Sequence, residues 1–143
     1  LDNEIKNYSL FRTYRCSPVT LFELQETVLK YINKQEKEIP FWNLISQPYS
    51  SLEDRCKNIA KSISFSTSIE KGESVIGGGT LPDVTLESPI LLINNEKTVD
   101  TVNQLIKNDI PIVPRIIKDQ VCLDLRSVFH NQDDIIVQAL NNS

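Results

Sequence analysis

The 143 residues include no methionine, one histidine, one tryptophan and four glycines. Each scarcity excludes something. His130 has no serine, aspartate or cysteine partner at a recognisable spacing, so it reads as a surface residue, and no nucleophile–base relay stands out. The three cysteines, Cys16, Cys56 and Cys122, are isolated, odd in number and without CxxC spacing. They read as reduced, partly buried thiols of a cytoplasmic protein, with no metal site expected. Basic residues do not predominate: 15 Lys and Arg stand against 19 Asp and Glu, for a net charge of −4. That removes a chain-wide basic field and with it DNA binding, although a local basic cluster can still touch RNA. Long apolar runs are missing too. The longest, "PILLI" at 89–93, suits a buried strand, and no membrane span is expected. The start at Leu1, with no methionine and no signal peptide, reads as a piece of a longer polypeptide or a chain whose start has been removed.

What remains is ordinary globular material, 40% hydrophobic and 24% charged, enough for one domain with an appendage. "SPVTLFELQETVLKYINKQ" repeats apolar residues at Leu21, Leu24, Val28, Tyr31 and Ile32, which predicts a helix started by Pro18. "IPFWNLISQP" allows one or two helical turns between prolines. "SSLEDRCKNIAKSI" predicts a helix with Ser50 as N-cap, Glu53 closing a capping box, and a face of Leu52, Cys56, Ile59, Ala60 and Ile63. After residue 63 the character changes. "SISFSTSIEK" alternates as a half-buried strand, and "DVTLESPILLIN" is a second. "KTVDTVNQLIKND" is helical with Val99, Val102, Leu105 and Ile106 on one side. "IPIVPRII" and "QVCLDLRSV" are strands around the turn "KDQ", and "NQDDIIVQALNN" closes as a helix with Asp133 and Asp134 in its first turn. The order β, loop, β, α, β, β, α predicts an α+β fold. Its sheet is mostly antiparallel with helices on one face, and a connecting helix precedes it.

Three motifs are candidates for chemistry. Three of the four glycines are consecutive, Gly77, Gly78 and Gly79, followed by Thr80, Leu81 and Pro82. No Lys-Ser/Thr follows and no GxGxxG pattern forms, so a strained loop is the better reading than a phosphate nest. Arg12 and Arg15, three residues apart, can converge on an anion; read alone they are a solvated basic patch. Arg115 sits inside an apolar strand, where a charge must be paired or face a site. Arg126, after "LDL", is expected to pair with Asp124 or a neighbouring carboxylate.

Taken together, "VIGGGTLPDVTL", "PIVPRIIKDQVCLDLRSV" and the acidic closing helix resemble the C-terminal region of bacterial selenocysteine synthases, the L-seryl-tRNA(Sec) selenium transferases. Upstream, "LFRTYRCSPVTLFELQETVLKYI" and "IPFWNLISQPYSSLEDRCKNIA" resemble that family's preceding segments, so the likeness runs through nearly the whole chain. Ser17 and Pro18 depart from the family's usual Asp-Lys, and Gln120 stands where its turn usually has glycine, which implies a different or strained turn. The resemblance implies a fold-type I enzyme in which pyridoxal phosphate is the electron sink and the seryl hydroxyl of seryl-tRNA(Sec) is replaced with selenium from selenophosphate. It further implies a homo-oligomer. The Schiff-base lysine would lie upstream, Lys6 being too near Arg12 and Arg15 to be that residue, so no catalytic residue is expected here and the chain alone would be inactive. Residues 1–19 would be the tail of a large cofactor-binding domain, 20–63 connecting helices and 64–143 the small domain. Arg12 and Arg15 match a family arginine pair suited to the phosphate-bearing donor. Gly77–Thr80 and Arg115 are possible active-site contacts. The alternatives are the small domain of another fold-type I enzyme and a non-catalytic interaction or oligomerisation module.

Overall fold

The computed structural model describes residues 2–76 and 84–142, apart from the side chains of Asp2, Asn3 and Arg12. The chain divides into two compact units, Leu1–Trp42 and Asn43–Ser143. The first is helical. A short helix α1 (Asp2–Asn7) and a 3-10 turn over Ser9–Arg12 lead to α2 (Pro18–Ile32). Pro18 opens α2 as expected, because its missing N–H falls in the turn that has no partner for one. Ser17 caps the helix, its hydroxyl accepting the Thr20 N–H at 3.1 Å. At the other end Lys34 adopts a left-handed φ of 57°. The Gln35 N–H then reaches the Lys30 carbonyl at 2.8 Å, and the Lys34 N–H reaches that of Tyr31 at 3.2 Å. These two bonds close the helix in the manner usually entrusted to glycine. No residue of α2 is buried, and Leu21, Leu24, Val28 and Ile32 are all exposed.

A short helix α3 (Pro40–Ile45) supplies the turns expected between the prolines. The second unit then runs α4 (Tyr49–Ser62), β1 (Ser66–Val75), β2 (Thr85–Asn94), α5 (Thr98–Lys107), β3 (Arg115–Ile117), β4 (Gln120–Asp124) and α6 (Asp133–Asn141). The four strands lie in the order β1-β2-β4-β3, each antiparallel to its neighbours. One face carries Leu91 and Ile93 of β2 with Val121 and Leu123 of β4. Leu52, Cys56 and Ile59 of α4, Leu105 of α5, and Ile136 and Leu140 of α6 cover it in one apolar cluster. Burying each such side chain stabilises the fold by about 1.5–3 kcal/mol, which makes this layer the main source of stability. The expected α+β architecture is therefore the observed one.

Local details differ from the sequence reading, each for a physical reason. The cap of helix α4 lies two residues before the expected Ser50. Pro48, held at φ −63° and ψ 147°, is the N-cap, and its carbonyl accepts the Leu52 N–H at 3.2 Å. On α5 the covered stripe is Thr98, Thr101 and Leu105, while Val99 (65%) and Ile106 (43%) are exposed. The threonines can be covered because their hydroxyls have partners: Asn95 Nδ2 donates to that of Thr101 at 2.6 Å, and that of Thr98 reaches the Asn95 carbonyl at 2.9 Å. The β3–β4 connection turns on Lys118 and Asp119, both left-handed, at φ 50° and 61°. That is the two-residue hairpin geometry that favours Asn-Gly, formed here without glycine. Gln120 pairs with Ile117 as the first residue of β4, so the strained positions precede it.

Candidate functional site

The sheet face turned away from the helices carries alternate residues of the same strands: Gly72 and Ser74 of β1, Ser88, Ile90 and Leu92 of β2, Cys122 and Asp124 of β4, and Arg115 of β3. Its apolar part is the buried trio Ile90, Leu92 and Cys122. Gly72 is required there, because a Cβ at that position would stand 2.5 Å from Cγ1 of Ile90. Its polar part is centred on Asp124. Oδ2 accepts the Ser74 hydroxyl at 2.5 Å and Oδ1 the Ser88 hydroxyl at 2.8 Å. Oδ1 also accepts the backbone N–H of Arg126 at 3.1 Å, and Oδ2 meets Nη2 of Arg115 at 3.5 Å. Ser88 is fully buried, the Asp124 side chain is 14% exposed and that of Arg115 46% exposed. Nη1 of Arg115 reaches the Glu73 carbonyl at 3.5 Å. The cluster ties the last turn of strand β1, the first residues of β2 and the short β3 to one carboxylate.

Of the residues singled out from the sequence, Arg115 is at this cluster. Gly77, Gly78, Gly79 and Thr80 fall outside the described residues, in the segment joining β1 to β2. Arg15 lies in the first unit, exposed, with its guanidinium carbon 5.9 Å from the centre of the Phe11 ring. The backbone of Arg12 ends the 3-10 turn, and its side chain is outside the described set. His130 is on the surface, 83% exposed, 3.8 Å from a carboxylate oxygen of Asp133.

Arg126 is a correction. The expected ion pair with Asp124 or a neighbouring carboxylate does not form among the described residues: Asp124 takes the backbone N–H of Arg126, and the buried guanidinium reaches carbonyl oxygens instead. Nη1 donates to Ile45 at 3.0 Å and Gln47 at 2.9 Å, and Nη2 to Glu87 at 2.7 Å. Nε is buried without a partner among the described residues. Three carbonyl dipoles take the place of a carboxylate and hold the chain before α4 against the start of β2.

Sequence reasoning missed Arg55. On α4, and 4% exposed, it forks onto both carboxylate oxygens of Asp133 at 2.7 and 3.0 Å. Its other donors go to the Gln47 side chain and the Leu125 and Val128 carbonyls. The available signal was its position between Leu52, Cys56 and Ile59 on the covered side of the helix, where an arginine demands a partner. The neighbouring Cys56 thiol is pushed up from 9.0 to about 12, chiefly by burial and against the opposing influence of Arg55, so it is inert as a nucleophile. Burial raises Cys122 as well.

Among the described residues no helix is long and apolar enough to cross a membrane. The sequence model of the L-seryl-tRNA selenium transferase family matches residues 1–129. Similar proteins include the L-seryl-tRNA(Sec) selenium transferase of Clostridium perfringens (strain ATCC 13124), 30% identical over 96% of this chain and 32% of the relative. Those of Campylobacter jejuni (strain RM1221) and Campylobacter fetus subsp. fetus are 28% and 30% identical over 99% of this chain and 31% of each relative. The chain thus spans about a third of the length of these curated relatives. A match that begins at the first residue, runs through the helices and strands of both units and ends beyond the Asp124–Arg126 segment makes this chain a member of the L-seryl-tRNA selenium transferase family.

Proposed function

We propose that this chain is the C-terminal part of an enzyme that converts seryl-tRNA(Sec) to selenocysteinyl-tRNA(Sec), with selenophosphate as the selenium donor. The observation that carries the reading is the family match across 129 consecutive residues, both units included. Residues 1–19 end a larger cofactor-binding domain, 20–63 connect it to the small domain, and 64–143 form that domain. Within the connecting stretch α4 is the part that packs on the sheet. The whole enzyme works in the cytoplasm as a homo-oligomer.

Pyridoxal phosphate belongs to the rest of the enzyme in this reading. A Schiff-base lysine needs an enclosed site that lowers its affinity for a proton. The described lysines are exposed or half-exposed, and Glu53 and Glu87 raise the pKa of Lys57 and Lys71. These residues do not fit covalent attachment of the cofactor. The contribution of this chain is anion recognition. Arg12 and Arg15 hold the phosphate of the donor through charge-assisted guanidinium contacts, which suit a tetrahedral dianion better than the point charge of lysine.

The test is steady-state transfer of selenium to seryl-tRNA(Sec) by the full-length protein and its Arg12→Ala and Arg15→Ala variants. Each substitution should lower kcat/KM for selenophosphate about 30- to 1000-fold, the equivalent of roughly 2–4 kcal/mol for a lost charged partner in a partly dry site. Arg→Lys should restore only part of it. Unchanged donor kinetics would make the pair a solvated patch, and a full-length protein that transfers no selenium would remove the transferase reading. Borohydride trapping of pyridoxal phosphate on the isolated chain should give no stoichiometric adduct.

A further inference from the structure

The carboxylate of Asp124 offers about four lone-pair positions, and all are taken. Oδ1 holds the Ser88 hydroxyl and the Arg126 N–H; Oδ2 holds the Ser74 hydroxyl and Arg115. A carboxylate saturated in this way cannot rotate to receive Arg115 as a two-pronged fork. It grips that guanidinium by one nitrogen, at 3.5 Å, while the Glu73 carbonyl takes a second nitrogen at the same distance. Of the five N–H groups of the guanidinium, three have no partner among the described residues, and the side chain is 46% exposed. Arg115 is thus aimed by a nearly buried anchor while most of its donors are unpaired among the described residues.

We infer that Asp124 is a positioning residue that holds Arg115 ready for a phosphate group on the face of the sheet opposite the helices. The two serines make the device specific. Without them Asp124 would swing toward Arg115, pair with it fully and use up the donors that a phosphate needs. A solvent-exposed arginine with no anchor would still attract an anion, but it would lose side-chain entropy on binding that this arrangement has already removed. The phosphate belongs to a substrate, either the selenium donor or the tRNA backbone, and in that respect the inference rests on the transferase reading.

The experiment uses the full-length protein with Arg115→Ala, Asp124→Asn and the double variant. If Asp124 acts through Arg115, each single variant should raise one substrate's KM about ten- to hundredfold, in line with the loss of one charged hydrogen bond. The double variant should be no worse than Arg115→Ala alone. A change confined to KM for selenophosphate identifies the donor as the source of the phosphate, and one confined to seryl-tRNA(Sec) identifies the RNA. Multiplying effects, or an Asp124→Asn variant that melts earlier with unchanged KM values, would overturn the inference. A second readout does not need selenium transfer: phenylglyoxal labelling of Arg115, followed by mass spectrometry. Inorganic phosphate should protect Arg115 in the wild-type protein and protect it much less in Asp124→Asn. Equal labelling in both refutes the positioning role even where the transferase reading fails on other grounds.

Discussion

Arg55 makes five hydrogen bonds from a side chain that is 4% exposed, and its removal is the sharpest stability test the fold offers. Arg55→Ala leaves the Asp133 carboxylate, 17% exposed, without its fork, and frees the Val128 carbonyl and the Gln47 side-chain oxygen, while the Leu125 carbonyl keeps the Val128 N–H. Stranding one partner of a buried pair costs about 3–5 kcal/mol. The lower end applies here, because Asp133 retains some water and sits in the first turn of α6, where the helix dipole favours a negative charge. The expected loss is therefore about 3 kcal/mol, read from urea unfolding followed by circular dichroism, with the m-value checked for constancy. Arg55→Lys should recover little, since one ammonium cannot serve a carboxylate fork and three other acceptors at once. Arg55→Met combined with Asp133→Leu should be less destabilised than the sum of its single variants, because the pair is then removed whole. A loss below about 1 kcal/mol for Arg55→Ala, within the range of an exposed ion pair, would refute the reasoning.

Gly72→Ala should destabilise the protein by about 1–3 kcal/mol, as overpacking against Cγ1 of Ile90, and in an Ile90→Ala background, which lacks that atom, it should cost much less; additive melting shifts would contradict the contact. Lys118→Asn with Asp119→Gly should raise the melting temperature by relieving two left-handed residues, for a gain of about 1 kcal/mol. Cys16, exposed, should react with Ellman's reagent at once, whereas Cys56 and Cys122 should react only on unfolding. Since the folded pKa of Cys56 lies above its ordinary 9.0, its contribution to stability is complete below pH 9.0 and is lost as pH rises toward about 12. Alkaline melts of Cys56→Ala and wild type should converge over that range, and parallel curves would count against it.

The sequence alone determined the elements, because each rests on local patterning. The 3.6-residue stripe of α4 and the alternation and apolar run of the two long strands reflect which side of a segment must leave water. Pro18 and the first-turn aspartates of α6 mark ends by backbone chemistry that needs no distant partner. The stretches "VIGGGTLPDVTL" and "PIVPRIIKDQVCLDLRSV", taken with the closing helix and the upstream segments, likewise carried the resemblance to the family that the chain matches. Tertiary structure alone decided the polar assignments. Nothing local distinguishes Arg126, which spends its charge on three carbonyls, from an arginine paired with Asp124, since those carbonyls come from residues 45, 47 and 87. The buried Arg55 and Asp133 stand 78 positions apart, and Ser74, Ser88, Arg115 and Asp124 meet only after four strands take their register. Apolar burial is non-directional and is written in the composition of each segment, whereas a buried charge is satisfied at a particular distance and angle, which exist only once the chain has folded.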